Sequence, residues 1–302
     1  MAVVSNTPEN VDTPKGFAFA MGAYLLWGFL PLYMKLLAHM PALEIVAHRV
    51  IWSVPVAGLV LILLRRTSDL VAALRNPRTL AMGCLTAALI TVNWGIYVWS
   101  IANDRALDAA LGYYINPLFS VGLAALLLGE RLSRLQWIAV ALAAGAVVVL
   151  WADAGTLPWP ALALTVSWGF YAFFKKSLPV GPNQGFLLEV LILSVPAIGF
   201  LGWLTATGQG HFAMSAQDTW LLLGCGIVTA VPLLFYANGA KLMRLSTIGI
   251  MQYIAPTMIF LVAVFLFGEP FGQARMIAFP MIWLALIVYS IPMLRDLRGK
   301  RG

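Results

Sequence analysis

Four ionisable residues stand in otherwise apolar runs of this 302-residue chain: Glu44, His48 and Arg49 in "EIVAHRVIWSVP", and Glu189 in "GFLLEVLILSVP". A histidine can exchange a proton in the physiological range, and ionisable groups at depth in an apolar medium are candidates for proton coupling or gating. They sit within a turn or two of the run ends, where a charge can also reach the interface or pair, so anchoring is the competing role of His48, Arg49 and Glu189. The 12 acidic residues and 3 histidines form no HExxH or aspartate-rich pattern, and no GxxxxGK[ST] phosphate loop occurs. Chemistry on a substrate, a metal or cofactor, and direct ATP drive are therefore not expected.

Uncharged polar and aromatic groups are the better candidates for holding a solute. In "GYYINPLFSVGLAALLLGE" (112–130), Pro117 removes one helical hydrogen bond and frees the carbonyl of Tyr113. In "MQYIAPTMIFLVAVFLFGE" (251–269), Pro256 does the same for the carbonyl of Gln252. Irregular backbone at membrane depth is tolerated only against protein or a wet cavity. Tyr113, Tyr114, Asn116, Gln252 and Tyr253 are thus the first candidates for solute contact, with helix packing around a hinge as the alternative. Asn93, Trp94, Tyr97, Tyr236 and Asn238 form a second set, suited to solute contact or to interhelical hydrogen bonds. Trp27 and Trp168 each precede a glycine at mid-run, and with Tyr24 and Tyr171 they can wall a cavity or pack on Gly28 and Gly169. Pro31 frees the Trp27 carbonyl and adds a gate candidate. Glu130 and Glu269 follow glycine at helix ends, where a carboxylate opposes the helix dipole, so each should bond a neighbour as gate or scaffold.

The elements that must position these residues are membrane helices. Hydrophobic residues make up 61% of the chain and charged residues 10%, with mean hydropathy +0.88, which excludes an ordinary soluble domain. Apolar runs at 17–37, 43–64, 79–101, 107–128, 134–152, 157–175, 183–206, 218–240, 246–268 and 273–294 read as ten all-α spans. Short connections predict antiparallel packing of consecutive helices, with 65–78 and 207–217 as the sizeable loops. Fifteen of the 19 Lys and Arg fall on the side of the N-terminus, which predicts both termini in the cytoplasm. The net charge of +7 follows from this topology and from anionic lipid head groups, not from nucleic-acid binding. No secretory leader is expected before the first span, and Cys84 and Cys225, both within spans, are expected as buried thiols.

The chain also repeats itself. At an offset of 141, Trp27-Gly28-Phe29 meets Trp168-Gly169-Phe170, Lys35 meets Lys176, His48 meets Glu189, and Ser53-Val54-Pro55 meets Ser194-Val195-Pro196. At an offset of 139, Tyr97 meets Tyr236, and Tyr114, Pro117, Gly129 and Glu130 meet Tyr253, Pro256, Gly268 and Glu269. Each half then holds five spans, an odd number, so the halves have opposite polarity. Such inverted repeats can exchange two equivalent shapes, the basis of alternating access. The expected division is a tail at 1–16, repeats at 17–152 and 157–294, and a basic tail at 295–302.

The WGF of span one, "EIVAHRVIWSVP", "LGYYINP…LGERL" and "MQYIAPT…FGE" together resemble the EamA-domain permeases of the drug/metabolite transporter superfamily, in the RarD-like branch. The resemblance covers nearly the whole chain. It implies a ten-helix bundle whose cavity is lined by spans one, three, four, six, eight and nine, and the movement of small metabolites. YddG-type amino-acid exporters share the superfamily, and RarD-type members carry a chloramphenicol-sensitivity label. The resulting expectation is outward transport of small amphipathic metabolites, first of all large neutral or aromatic amino acids. A drug permease and a membrane sensor on the same bundle are the alternatives, and monomer and homodimer are both open.

Overall fold

Apolar runs fold as helices here because no water is present to satisfy an exposed backbone, and the polar residues between them set the ends. The computed structural model describes residues 12–65, 67–128, 132–243 and 245–299. The helices among them are α1 (Pro14–Leu36), α2 (Ala42–Leu63), α3 (Thr67–Arg75), α4 (Pro77–Ala102), α5 (Ala106–Leu128), α6 (Arg134–Ala154), α7 (Trp159–Ser177), α8 (Pro182–Ala206), α9 (Ala216–Lys241), α10 (Leu245–Met251), α11 (Ile254–Leu261) and α12 (Gln273–Gly299). Thr13 Oγ1 accepts the Gly16 N–H at 3.0 Å to start α1, and Asn76 Oδ1 accepts those of Arg78 and Thr79 at 3.0 and 3.1 Å to start α4. Ser133 and Gln136 form a reciprocal capping box on α6, which ends at Gly155 with φ of 64°. Eight helices among the described residues are long and apolar enough to cross a membrane: α1, α2, α4, α5, α6, α8, α9 and α12.

Three expectations are corrected. The segment 65–78, read as a loop, contains α3, whose Leu70 and Ala73 share one buried face. Gln184 Nε2 donates to Asp69 Oδ2 at 3.1 Å and ties α3 to α8; two apolar residues were too few to reveal the period. The run 246–268, read as one helix, breaks at Gln252-Tyr253 between α10 and α11 and ends in a π-helical turn over Val262–Leu266. Pro256, third residue of α11, has no N–H to return to the Gln252 carbonyl, and the break falls at that point. Its counterpart Pro117 sits inside an unbroken α5, along which α7 packs, with Thr165 Oγ1 donating to the Gly112 carbonyl at 2.9 Å. Finally, Cys225 is buried but Cys84 is exposed, on a face of α4 that it shares with the exposed Leu85 and Ala88.

The helices do not pack mainly on their sequence neighbours, as the short connections had predicted. The most extensive pairings join the two halves: α1 with α9 and α11, α2 with α8 and α9, α4 and α5 with α7, and α6 with α12. Two glycines make part of this possible. A Cβ at Gly28 would stand 2.5 Å from Met258 Sδ and 2.6 Å from Met258 Cβ on α11, and one at Gly169 would stand 2.5 Å from Phe119 Cε1 on α5. Small residues let helix backbones approach this closely in a membrane.

At the end of the bundle where α1 and α4 finish and α2 and α5 begin, Met34, Leu37, Ile45, Ile101, Ala106 and Leu107 are all buried to within 1%. Glu269, 4% exposed, accepts the Ala106 and Leu107 N–H groups at 2.5 and 2.9 Å. A carboxylate at a helix N-terminus satisfies orphan donors and favours the dipole, which answers why a glutamate follows Gly268. Its expected partner in the repeat, Glu130, lies outside the described residues.

Candidate central cavity

The space that remains between the halves is a cavity of ≈ 130 Å³, similar to cavities that hold a single aromatic ring. α1 contributes Tyr24, Trp27 and Leu30; α4 contributes Asn93, Trp94 and Tyr97; α5 contributes Tyr113 and Asn116, and α7 Trp168. α9 contributes Thr229, Leu233 and Tyr236, and the broken α10–α11 segment Gln252, Ala255, Pro256 and Ile259. Arg49 reaches it from α2. Leu30 and Tyr97 are its lining residues nearest in sequence to the packed end described above, where α1 and α4 finish.

Two aromatic groups, each with residues from both halves of the chain, line the cavity. Trp27 lies with its ring centroid 5.8 Å from that of Tyr24 and 5.6 Å from that of Tyr236. Tyr113 lies 6.0 Å from Tyr97 and 6.3 Å from Trp168. These spacings are those of edge-on and tilted ring contacts, which hold the walls in place and leave faces for an apolar solute. Asn93, fully buried, fastens three helices: Nδ2 donates to the Leu164 carbonyl at 3.1 Å and to Ser167 Oγ at 3.0 Å, and Oδ1 accepts from Tyr113 Oη at 3.2 Å. A buried amide needs such partners. Its hydrogen bonds and its place in the lining are therefore compatible, where residue type alone had left them as alternatives. Asn116 Oδ1 and Tyr97 Oη have no hydrogen-bond partner among the described residues.

Other expected contact residues turn elsewhere. Tyr114 Oη pairs with Thr257 Oγ1 at 2.7 Å, and its ring packs against Phe279 and Trp283 of α12. Asn238 Nδ2 donates to the Leu234 carbonyl of its own helix at 2.7 Å. Tyr253, partly buried, lies outside the lining. Tyr171 Oη donates to Glu189 Oε2 at 3.2 Å, and Lys175 Nζ stands 2.6 Å from Glu189 Oε1, so Glu189 has a paired, buried setting on α7 and α8. His48 accepts the Trp52 Nε1–H at 3.0 Å and stacks on Phe212, facing the 207–215 connection and not the cavity. Pro31 is buried in an unbroken α1. Sequence reasoning did not include Thr229, or Lys175 as Glu189's partner. Lys175 follows Tyr171 by one helical turn, a usable signal, while Thr229 looks like any threonine in an apolar run.

The profile of the EamA-like transporter family matches residues 14–152. Over the whole length, the chain is 42% identical to Protein RarD of Streptomyces exfoliatus, across 95% of this chain and 91% of that one. The chain belongs to the EamA-like transporters of the drug/metabolite transporter superfamily, in the RarD-like branch. This EamA protein is also 42% identical to a protein named "Uncharacterized transporter" of Vibrio cholerae, across 94% and 95% of the two chains. It is 33% identical to a "Chloramphenicol-sensitive protein RarD" of Pseudomonas aeruginosa, across 95% and 98%. A solved crystal structure 20% identical in sequence shares the fold with a TM-score of 0.60, over 91% of this chain and 97% of that one. The membership identifies a multi-pass membrane transporter, and the cavity between the halves is the feature a transporter needs.

Proposed function

We propose that this EamA protein is a secondary permease of the bacterial inner membrane that moves small amphipathic metabolites outward by alternating access. Large neutral or aromatic amino acids are the first substrate class. One observation carries the reading: a cavity is lined by helices of both halves of the chain, in a bundle one end of which is packed with buried side chains and the Glu269 cap. The pairings between halves support two inverted five-helix repeats, 17–152 and 157–294. In them α1 against α9 and α11 corresponds to α7 against α4 and α5. In this reading α7 and the α10–α11 segment complete ten spans, and both termini lie in the cytoplasm. The packed end then faces outward and serves as the seal, and exchange of the two shapes moves the seal to the other side.

The relative named for chloramphenicol sensitivity favours a second reading, a permease for neutral aromatic drugs. Counterflow into sealed liposomes containing only this protein separates the two, with a panel of amino acids, amphipathic metabolites and chloramphenicol. Saturable exchange of aromatic amino acids supports the first reading, and exchange of chloramphenicol alone supports the second. Absence of flux across the whole panel refutes the permease.

A further inference from the structure

Arg49 is 3% exposed and lines the cavity, yet none of the ion pairs among the described residues involves it. Its Nε donates to Thr229 Oγ1 at 3.0 Å, and its guanidinium carbon stands 4.9 Å from the Trp94 ring centroid. These contacts fix the near edge and one face of the plane. Nη1 is left without a hydrogen-bond partner among the described residues. A buried charge without a counter-charge is costly, and a guanidinium presents a fork of donors that matches a carboxylate. The remaining lining contains no acid, so the cavity's fixed charge is that of one arginine.

We propose that the cavity takes an organic monoanion, one carboxylate on an aromatic or apolar body, and that Arg49 holds the carboxylate through its free edge. Two further unpartnered groups of the lining, Tyr97 Oη and Asn116 Oδ1, fit this occupant. The tyrosine hydroxyl can donate to the carboxylate, and the asparagine oxygen can accept from a hydroxyl on the same solute. The rings of Trp27 and Trp168 suit the apolar body. A solute whose only charge is positive would meet the arginine without a compensating acid and is excluded. The inference rests on the permease reading for its place in a transport cycle, but binding tests it independently.

The probes are 3-phenylpropionate, its uncharged amide 3-phenylpropionamide, and the phenethylammonium cation, titrated onto the full-length protein in detergent by calorimetry. The carboxylate should bind at least tenfold more tightly than the amide, and the cation should not bind. In Arg49→Gln, the carboxylate should fall to the affinity of the amide, while Arg49→Lys should retain part of the preference. Equal affinity of carboxylate and amide for the wild type, binding of none of the three, or a preference that survives in Arg49→Gln would overturn the proposal. The wild-type comparison stands even if the variants do not fold. Counterflow separates this outcome from failure of the permease: exchange of neutral aromatic solutes with no carboxylate preference removes only the Arg49 role. A bound carboxylate with no flux of any solute removes the permease and leaves the site.

Discussion

A methyl group added at Gly28 or Gly169 should destabilise the protein, although the same change in an open helical position should stabilise it. Replacing a helical glycine by alanine gains about 1 kcal/mol where nothing obstructs the new Cβ. Gly58 of α2 and Gly95 of α4 are such positions, since a Cβ there meets nothing within 4 Å. At Gly28 the new atom would lie 2.6 Å from Met258 Cβ, an atom fixed to the backbone of α11, so α1 and α11 must separate. At Gly169 the obstacle is the Phe119 ring, 2.5 Å away at Cε1, which can swing at the cost of its own packing. Overpacking of this kind costs about 1–3 kcal/mol. Set against the helix gain, Gly28→Ala and Gly169→Ala should lie about 1–3 kcal/mol below the Gly58→Ala and Gly95→Ala controls. Thermal unfolding in detergent ranks the four. The identity of the obstacle also predicts the rescue: Phe119→Ala should restore Gly169→Ala, whereas Met258→Ala, which keeps its Cβ, should restore Gly28→Ala only in part. A Gly28→Ala protein that melts as high as Gly58→Ala would refute the packing role of the WGF glycine.

Glu269→Gln should lower the melting temperature by an amount corresponding to about 1–2 kcal/mol, because it weakens a charged double cap on α5; an unchanged melt would make the cap incidental. Trp168→Ala should reduce counterflow while folded protein remains in the membrane, and normal flux would move the solute path away from that wall. Pro117→Ala restores a helical hydrogen bond in α5 and should slow turnover more than it weakens binding; a turnover rate equal to the wild type would rule out a hinge there. Single-turnover and steady-state exchange in the same liposomes measure the two quantities.

The candidate site was legible in residue type and only partly in residue direction. Polar and aromatic side chains in an apolar run have to face protein, and ten of the fourteen named for contact line the cavity. Tyr113 and Tyr114 show where the argument stops. Adjacent on one helix, they point about 100° apart, and only the neighbours decide that Tyr113 meets Asn93 while Tyr114 meets Thr257 and α12. Arg49 shows the converse. Its position near a span end made snorkelling a reasonable alternative, but α9 and Trp94 hold it in the cavity wall.

By itself the sequence determined that the chain is helical and membrane-bound, and where its apolar runs lie, because lipid leaves the backbone few ways to satisfy its polar groups. It also exposed the repeat and the paired prolines and glutamates, which are one-dimensional patterns. The tertiary structure decided which helices touch, since short loops limit distance but do not choose a packing face, and the larger contacts joined α1 to α9 and α6 to α12. It also decided that one of two equivalent prolines interrupts its helix, that Glu269 caps α5, and that Arg49 lines the cavity with Nη1 unpaired among the described residues. Each of these depends on residues far apart in the chain, and contacts of that kind are set by packing and not by local sequence.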